Sequence, residues 1–255
     1  MKKCIALIVM FFTAFGANAQ DLPTQHHEVV IDFINCFKNN DRTKLAGLVA
    51  YPLKREYPLP AINNKEEFLQ RYDEVFDAKL VDMIVSSTLN KDWDAVGWRG
   101  IMLNRGDLWL DYDGTLIGVN YQSDAEAKKR TALIEAVRKQ LHRSINKFAE
   151  PVCVLSTANH TIRIDDMGQD KYRYASWKKG AEMSDRPDLV ILNGEVFPDG
   201  SGGNHHYIFK NGNYTYECGI VVLGEEDSSP AYLIVYKKGK EVLNERANLN
   251  EPELP

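Results

Sequence analysis

The chain has 255 residues, of which 44% are hydrophobic, 26% charged and 10% aromatic. That is a globular composition with apolar material for one large core or two compact ones, and it excludes a collagen, a coiled-coil rod and a polytopic membrane protein. A net charge of −5 with no strongly basic segment gives no electrostatic footprint for nucleic acid.

Residues 1–19 read as a secretory leader. Lys2 and Lys3 form the positive region, Ile5 to Phe15 the apolar run, and Ala17-Asn18-Ala19 the cleavage site. The run is too short to span a bilayer comfortably, and Cys4 precedes it, so it is not placed as a lipidation cysteine. Cleavage near Ala19 predicts a periplasmic or secreted protein starting at Gln20, more acidic than the precursor because two lysines leave with the leader.

From Thr24 the pattern is helical, with Val30, Phe33, Ile34 and Phe37 on one face. Asp41 is placed to cap a short second helix carrying Leu45, Leu48 and Val49. Pro52, Pro58 and Pro60 force extended chain over 51–60. Asn63 or Asn64, each with a Glu three residues on, opens a third helix whose face is Phe68, Tyr72, Val75 and Phe76, continued by Leu80, Met83 and Ile84. Three strands are expected at Val96–Leu103, Asp107–Tyr112 and Thr115–Tyr121, the last two joined by Asp113-Gly114, a type I′ hairpin signal. Ser123, with Glu126 completing a capping box, opens a longer helix striped by Ile134, Val137, Leu141, Ile145 and Phe148 and stopped by Pro151.

The second half is punctuated by turn signals at Asn193-Gly194, Asp199-Gly200, Asn211-Gly212 and Lys238-Gly239. Between them lie strand patterns at Thr161–Asp165, Tyr172–Trp177, Leu189–Leu192, His206–Phe209, Tyr214–Leu223, Ala231–Tyr236 and Glu241–Arg246. The fold class is therefore α+β: N-terminal helices on a curved antiparallel meander over 20–122, a connecting helix over 123–149, and a small all-β antiparallel barrel or sandwich over 150–255.

Three of the four tryptophans fall between Trp93 and Trp109, and Arg99 is bracketed by Gly97 and Gly100. Two readings follow. Trp98, Arg99, Trp109 and Asp111 line a concave face that stacks a planar group or holds an anion, with Asp111 the one nearby base. Alternatively the tryptophans fill the gap between sheet and helices while Arg99 pairs with Asp94 or Asp111. In Gly202-Gly203-Asn204-His205-His206 the two histidines would point to opposite faces of a strand, which disfavours a shared metal ion; in a loop Asp199 is a possible third ligand. Cys36 sits in a helical apolar run and reads as a buried free thiol. Cys153 and Cys218 are expected to pair, with two separately packed thiols as the alternative.

The order of helices and meander, with Phe33…Phe37-Lys38-Asn39-Asn40-Asp41…Leu45-Ala46-Gly47-Leu48-Val49, resembles the NTF2-like superfamily over residues 24–121. The resemblance implies a cone-shaped cavity and no particular reaction, since the superfamily spans enzymes and binding modules. The Asp/His arrangement of its enzymes has no counterpart, because residues 28–122 contain no histidine. Trp98-Arg99-Gly100-Ile101-Met102-Leu103 is similar to a segment of secreted bacterial proteins. Tyr216-Glu217-Cys218 and Ser176-Trp177-Lys178-Lys179-Gly180 resemble periplasmic barrels that inhibit lysozymes, although in that family the cysteine-bearing strand comes early. This resemblance implies a partner surface at Ser176, Trp177 and Lys178, to which His205 and His206 are added as exposed aromatic candidates.

No G-x-S-x-G, S-x-x-K, C-x-x-C or phosphate-loop signature is present. The acidic runs Asp165-Asp166 and Glu225-Glu226-Asp227 read as solvated turns, and the basic residues of 128–147 as a solvated helix face. No catalytic residue, metal or cofactor is assigned. The expected function is an exported, non-enzymatic two-domain binding protein acting on an envelope or extracellular protein, with no nucleic acid and no membrane span. The alternative is a binding protein or enzyme for a small anionic or aromatic molecule in the N-terminal cone.

Overall fold

The structure, a computed structural model, describes residues 20–225 and 227–250, so the leader expected over 1–19 lies outside them. Strand β1 (Gln20–Asp21) and a 3-10 turn lead into α1 (His27–Lys38), which buries Val30, Phe33, Ile34, Cys36 and Phe37. Asp41 caps α2 (Arg42–Gly47) by accepting from the Lys44 N–H at 2.9 Å, and Asn64 caps α3 (Lys65–Val75) by accepting from the Glu67 N–H at 2.9 Å. The apolar run after α3 is a separate helix, because Asp77 accepts from the Leu80 N–H at 2.9 Å and starts α4 (Ala78–Ser86). A single turn, α5 (Leu89–Asp92), follows.

The expected meander forms the last three strands of a five-stranded antiparallel sheet ordered β1 to β5, with β2 at Trp93–Ala95, β3 at Ile101–Leu103, β4 at Leu108–Leu110 and β5 at Leu116–Val119. Residues Gly97–Arg99 are a tight turn and not the start of a strand. Gly100 follows it at φ +96°, where a Cβ would stand 2.2 Å from the Leu110 carbonyl oxygen. This glycine serves strand approach and not ligand access. The Asp113-Gly114 turn is not type I′, since only Gly114 has positive φ (+89°) while Asp113 accepts from the Thr115 N–H at 2.8 Å.

Between helices and sheet the space is filled. Phe33, Phe37, Phe68, Tyr72, Phe76 and Trp93 form a chain of ring contacts with centroids 5.1 to 6.5 Å apart. The Trp93 indole N–H is satisfied by Ser87 Oγ at 2.9 Å.

Ser123 accepts from the Glu126 N–H at 3.1 Å and starts α6 (Asp124–Gln140). The helix ends well before Pro151. Arg173 takes the Ile145 and Lys147 carbonyls as acceptors, so the 141–149 segment satisfies backbone groups against the barrel that a helix would satisfy internally. Ile145 and Phe148 nevertheless stay in one buried cluster with Ile134, Leu141, Ala175 and Trp177.

Eight strands then close an antiparallel barrel: β6 (Glu150–Ser156), β7 (His160–Gly168), β8 (Lys171–Lys178), β9 (Leu189–Pro198), β10 (His205–Asn211), β11 (Tyr214–Ile220), β12 (Ala231–Lys237) and β13 (Lys240–Leu249). Each strand pairs with the next, and β13 closes onto β6 through Asn248 with Ser156 and Leu249 with Leu155. β6 was not legible as a strand because Pro151 lies within it, at a bulge beside Cys153. Asn193-Gly194 is not a turn but part of β9, and the Phe209 ring takes the place of a side chain there: a Cβ at Gly194 would meet it at 2.2 Å. The barrel middle is packed with Tyr174, Tyr207, Phe209 and Ile164.

Candidate functional site

The four residues expected to form a ligand face are not brought together around a cavity. Trp98 is 64% exposed on its turn. Trp109, opposite Met102 in the β3–β4 register, lies on the outer face of the sheet, where its indole N–H donates to the Gly106 carbonyl at 3.1 Å. The Arg99 guanidinium carbon lies 5.9 Å from the Trp109 ring centroid. Asp111 is exposed, and its Oδ1 accepts from the neighbouring Tyr112 N–H at 2.7 Å. The packing alternative holds for Trp93 alone, which fills the core; Trp98 and Trp109 do not, and Arg99 forms no ion pair with Asp94 or Asp111 within 4.0 Å.

The barrel candidates separate in the same way. Trp177 is buried outside the barrel wall under 141–149, with its indole N–H on the Asp185 carbonyl at 3.0 Å. Ser176 points inward, and Lys178 shares the rim of the same mouth. His205 and His206 face opposite ways: His205 lines the other mouth, while His206 pairs with Asp199 at 2.9 Å and stacks on Phe197. Among the described residues no group of three or more His, Cys, Asp or Glu could hold a metal ion, and no helix is long and apolar enough to cross a membrane.

Cys36, Cys153 and Cys218 are free and buried. The expected Cys153–Cys218 bridge is not formed: β6 and β11 are not neighbouring strands, and each cysteine fills a small apolar position inside the barrel. Burial pushes the Cys153 thiol up to about 12 and the Cys218 thiol well above its ordinary value.

Two buried arginine clusters, neither legible in the sequence, fix the layout. At the start of α6 the Glu126 carboxylate is fully enclosed and paired with Arg55 of the proline-rich loop. Arg55 Nε donates to Glu126 Oε1 at 2.8 Å, Nη2 donates to Glu126 Oε2 and to the Tyr121 carbonyl, and Nη1 donates to the Val119 carbonyl. Every nitrogen of this guanidinium has an acceptor. At the far end of α6, Asp165 of β7 lies 2.6 Å from both Arg163 and Arg173 on the outer barrel wall, beneath the Phe148 ring. Arg130, midway along α6, donates to the Tyr57 carbonyl at 2.9 Å and to Glu150 at 2.6 Å, tying the 51–61 loop to the barrel.

Several cavities accompany this arrangement among the described residues. One of about 420 Å³ lies where the 54–61 loop meets a barrel mouth, with Tyr57, Leu59 and Ala61 on one side, Cys153, Ile220 and Leu249 on the other, and Lys54 and His205 at its edge. Its size falls in the range of small-molecule sites. Another, of about 270 Å³, occupies the opposite mouth beside His160, Ser176 and Tyr216. A third, of about 390 Å³, lies against Arg163 at the end of α6, and a fourth, of about 370 Å³, lies between Arg55 and Gln122. Trp98, Arg99, Trp109 and Asp111 line none of them. No family model, no curated protein and no solved structure matches the chain.

Proposed function

We propose that the protein is an exported, non-enzymatic two-domain binding protein whose ligand seat is the cavity between the 54–61 loop and the barrel mouth. The observation that carries this reading is the composition of that cavity. Its walls are mainly apolar side chains from both halves of the chain, Leu59 and Ala61 facing Ile220 and Leu249; of its two cations Lys54 is exposed, and Arg55 is enclosed and already paired with Glu126. Such a lining takes up an apolar body and leaves a polar end toward water. An N-terminal half built in the NTF2-like manner would carry its ligand between domains, because its own core is occupied by rings.

Titration with an apolar fluorescent probe tests the reading. Saturable one-to-one binding by the native protein, lost in the cavity-filling variants Ile220→Trp and Ala61→Trp while both retain native melting, is the expected result. Binding that survives both fillings overturns it.

A protein partner is the second reading, favoured by one contact. Trp98 from the N-terminal half and Leu223 from the barrel both lie against Gly202, 3.4 and 3.0 Å from where its Cβ would be, and Trp98, Leu223 and Val222 are about half exposed or more. An apolar patch drawn from both halves is the kind of surface that a partner covers. Capture of a stoichiometric envelope partner by the native protein, lost with Trp98→Ser/Leu223→Ser, is its test.

A further inference from the structure

We propose that the cavity at the end of α6 is a receptor site for a small organic carboxylate, held by Arg163. The site is built from four parts of the chain: Leu141 and Gln140 at the helix end, Met183 and Glu182 in the loop after β8, Tyr57 of the proline-rich loop, and Arg163 of β7. Its volume of about 390 Å³ accommodates a carboxylate with an aromatic or short aliphatic body.

The argument rests first on a buried cation that shares its one carboxylate with a second arginine and keeps an unpaired donor. The Arg163 side chain is 1% exposed, yet its Nε has no hydrogen-bond partner, and its Nη2 approaches Asp165 to 2.6 Å out of hydrogen-bonding alignment. Buried donors left in this state are costly, and an arginine offers them in a fork that matches a carboxylate. The second part is charge. Asp165 is a single carboxylate facing two enclosed guanidiniums, those of Arg163 and Arg173. Arg138, the other guanidinium over Phe148, has its own partner in Glu135 at 2.5 Å. The pocket floor is thus left with one uncompensated positive charge.

The third part is chemistry in the wall. Tyr57 stands beside Arg163, where burial raises its hydroxyl and the guanidinium lowers it by less; like any tyrosine it is neutral at pH 7 and keeps its O–H to donate. The remaining charge in the lining is Glu182, which is exposed and forms no ion pair with Arg163 within 4.0 Å. A bound carboxylate sits between this like charge at the entrance and the cation at the floor. Apolar groups from Leu141 and Met183 cover its body. The site shares Tyr57 with the inter-domain seat, but it rests on Arg163 and does not use that seat's Ala61 or Ile220.

Calorimetric titration of the purified protein with phenylacetate, with its neutral relative 2-phenylethanol and with inorganic phosphate tests the proposal. Saturable one-to-one binding of phenylacetate, with at least about tenfold weaker binding of the alcohol, is expected. Arg163→Lys should weaken phenylacetate about tenfold or more by losing the fork, and Glu182→Gln should tighten it by removing the like charge. Ile220→Trp should leave the affinity unchanged, which separates failure of this site from failure of the inter-domain seat. Equal affinity for acid and alcohol, tighter binding of phosphate than of phenylacetate, no saturable heat, or an unchanged affinity in Arg163→Lys would each overturn it. Arg163→Met, which keeps most of the volume and removes every donor, provides the same test if the lysine variant does not fold.

Discussion

The two ends of α6 solve the same problem differently. Each end docks on a domain through a buried arginine. Arg55 gives all of its nitrogens to carbonyl and carboxylate acceptors, with Arg71 standing 4.0 Å from the same Glu126 and 3.5 Å from Glu74. Arg163, by contrast, shares one carboxylate with Arg173 and keeps its Nε unpaired beside a cavity. The first arrangement is a latch. A charge pair taken out of water holds only while both partners are present, and its Coulomb energy is largely spent on desolvation. The second holds more positive charge than the protein itself balances, which is poor economy for stability and suitable for a ligand.

That difference predicts unequal responses to substitution. The largest is expected at the latch. Glu126→Ala strands an enclosed guanidinium and should cost roughly 3–5 kcal/mol in urea denaturation. The double variant Arg55→Met/Glu126→Leu, which removes the pair and keeps volume, should recover most of that loss, because Arg71 keeps Glu74 at 3.5 Å. At the other end, Arg163→Met should change stability by no more than about 1 kcal/mol, because Asp165 keeps its 2.6 Å pair with Arg173. A loss as large as that of Glu126→Ala would break the comparison and make Arg163 a second latch.

Smaller effects sharpen the picture of the barrel interior. With the Cys153 and Cys218 thiols pushed up by burial, native protein at pH 8 should leave both unalkylated, and denatured protein should expose Cys36, Cys153 and Cys218 as three modifiable thiols by mass spectrometry. A single modified cysteine would mean the bridge forms after all. At the far mouth, partial burial pushes the Glu245 carboxyl up, but the nearby Thr157 hydroxyl, the Asn159 amide and the His160 ring outweigh it and hold the group below its ordinary 4.5. A depressed folded value means that its contribution to stability is present above the unfolded value and is lost as pH falls through the folded one. Glu245→Gln should therefore flatten the acid limb of the stability curve slightly, leaving the neutral region lower.

What the sequence by itself determined is local. Asp41, Asn64 and Ser123 announce helix starts because a short side chain bonding a backbone N–H three residues on is a contact within one turn. The Phe33 and Phe68 faces and most of the strands from β7 onward follow from periodicities that any single element carries. What tertiary structure alone decided is everything that depends on who covers whom. Asp165-Asp166 reads as a solvated turn, yet both residues lie in β7, where Arg163 and Asp165 alternate with Ile162 and Ile164 and are buried because 141–149 leaves the helix and lies across them. Gly194 reads as a turn because the Phe209 ring that fills its place comes from the next strand. Tyr57 becomes the floor of a cavity only when Arg130 ties its loop to the barrel. Periodicity assigns a side chain to a face, but burial of a charge is a property of the partner segment, and that segment is chosen by long-range packing that no local pattern encodes.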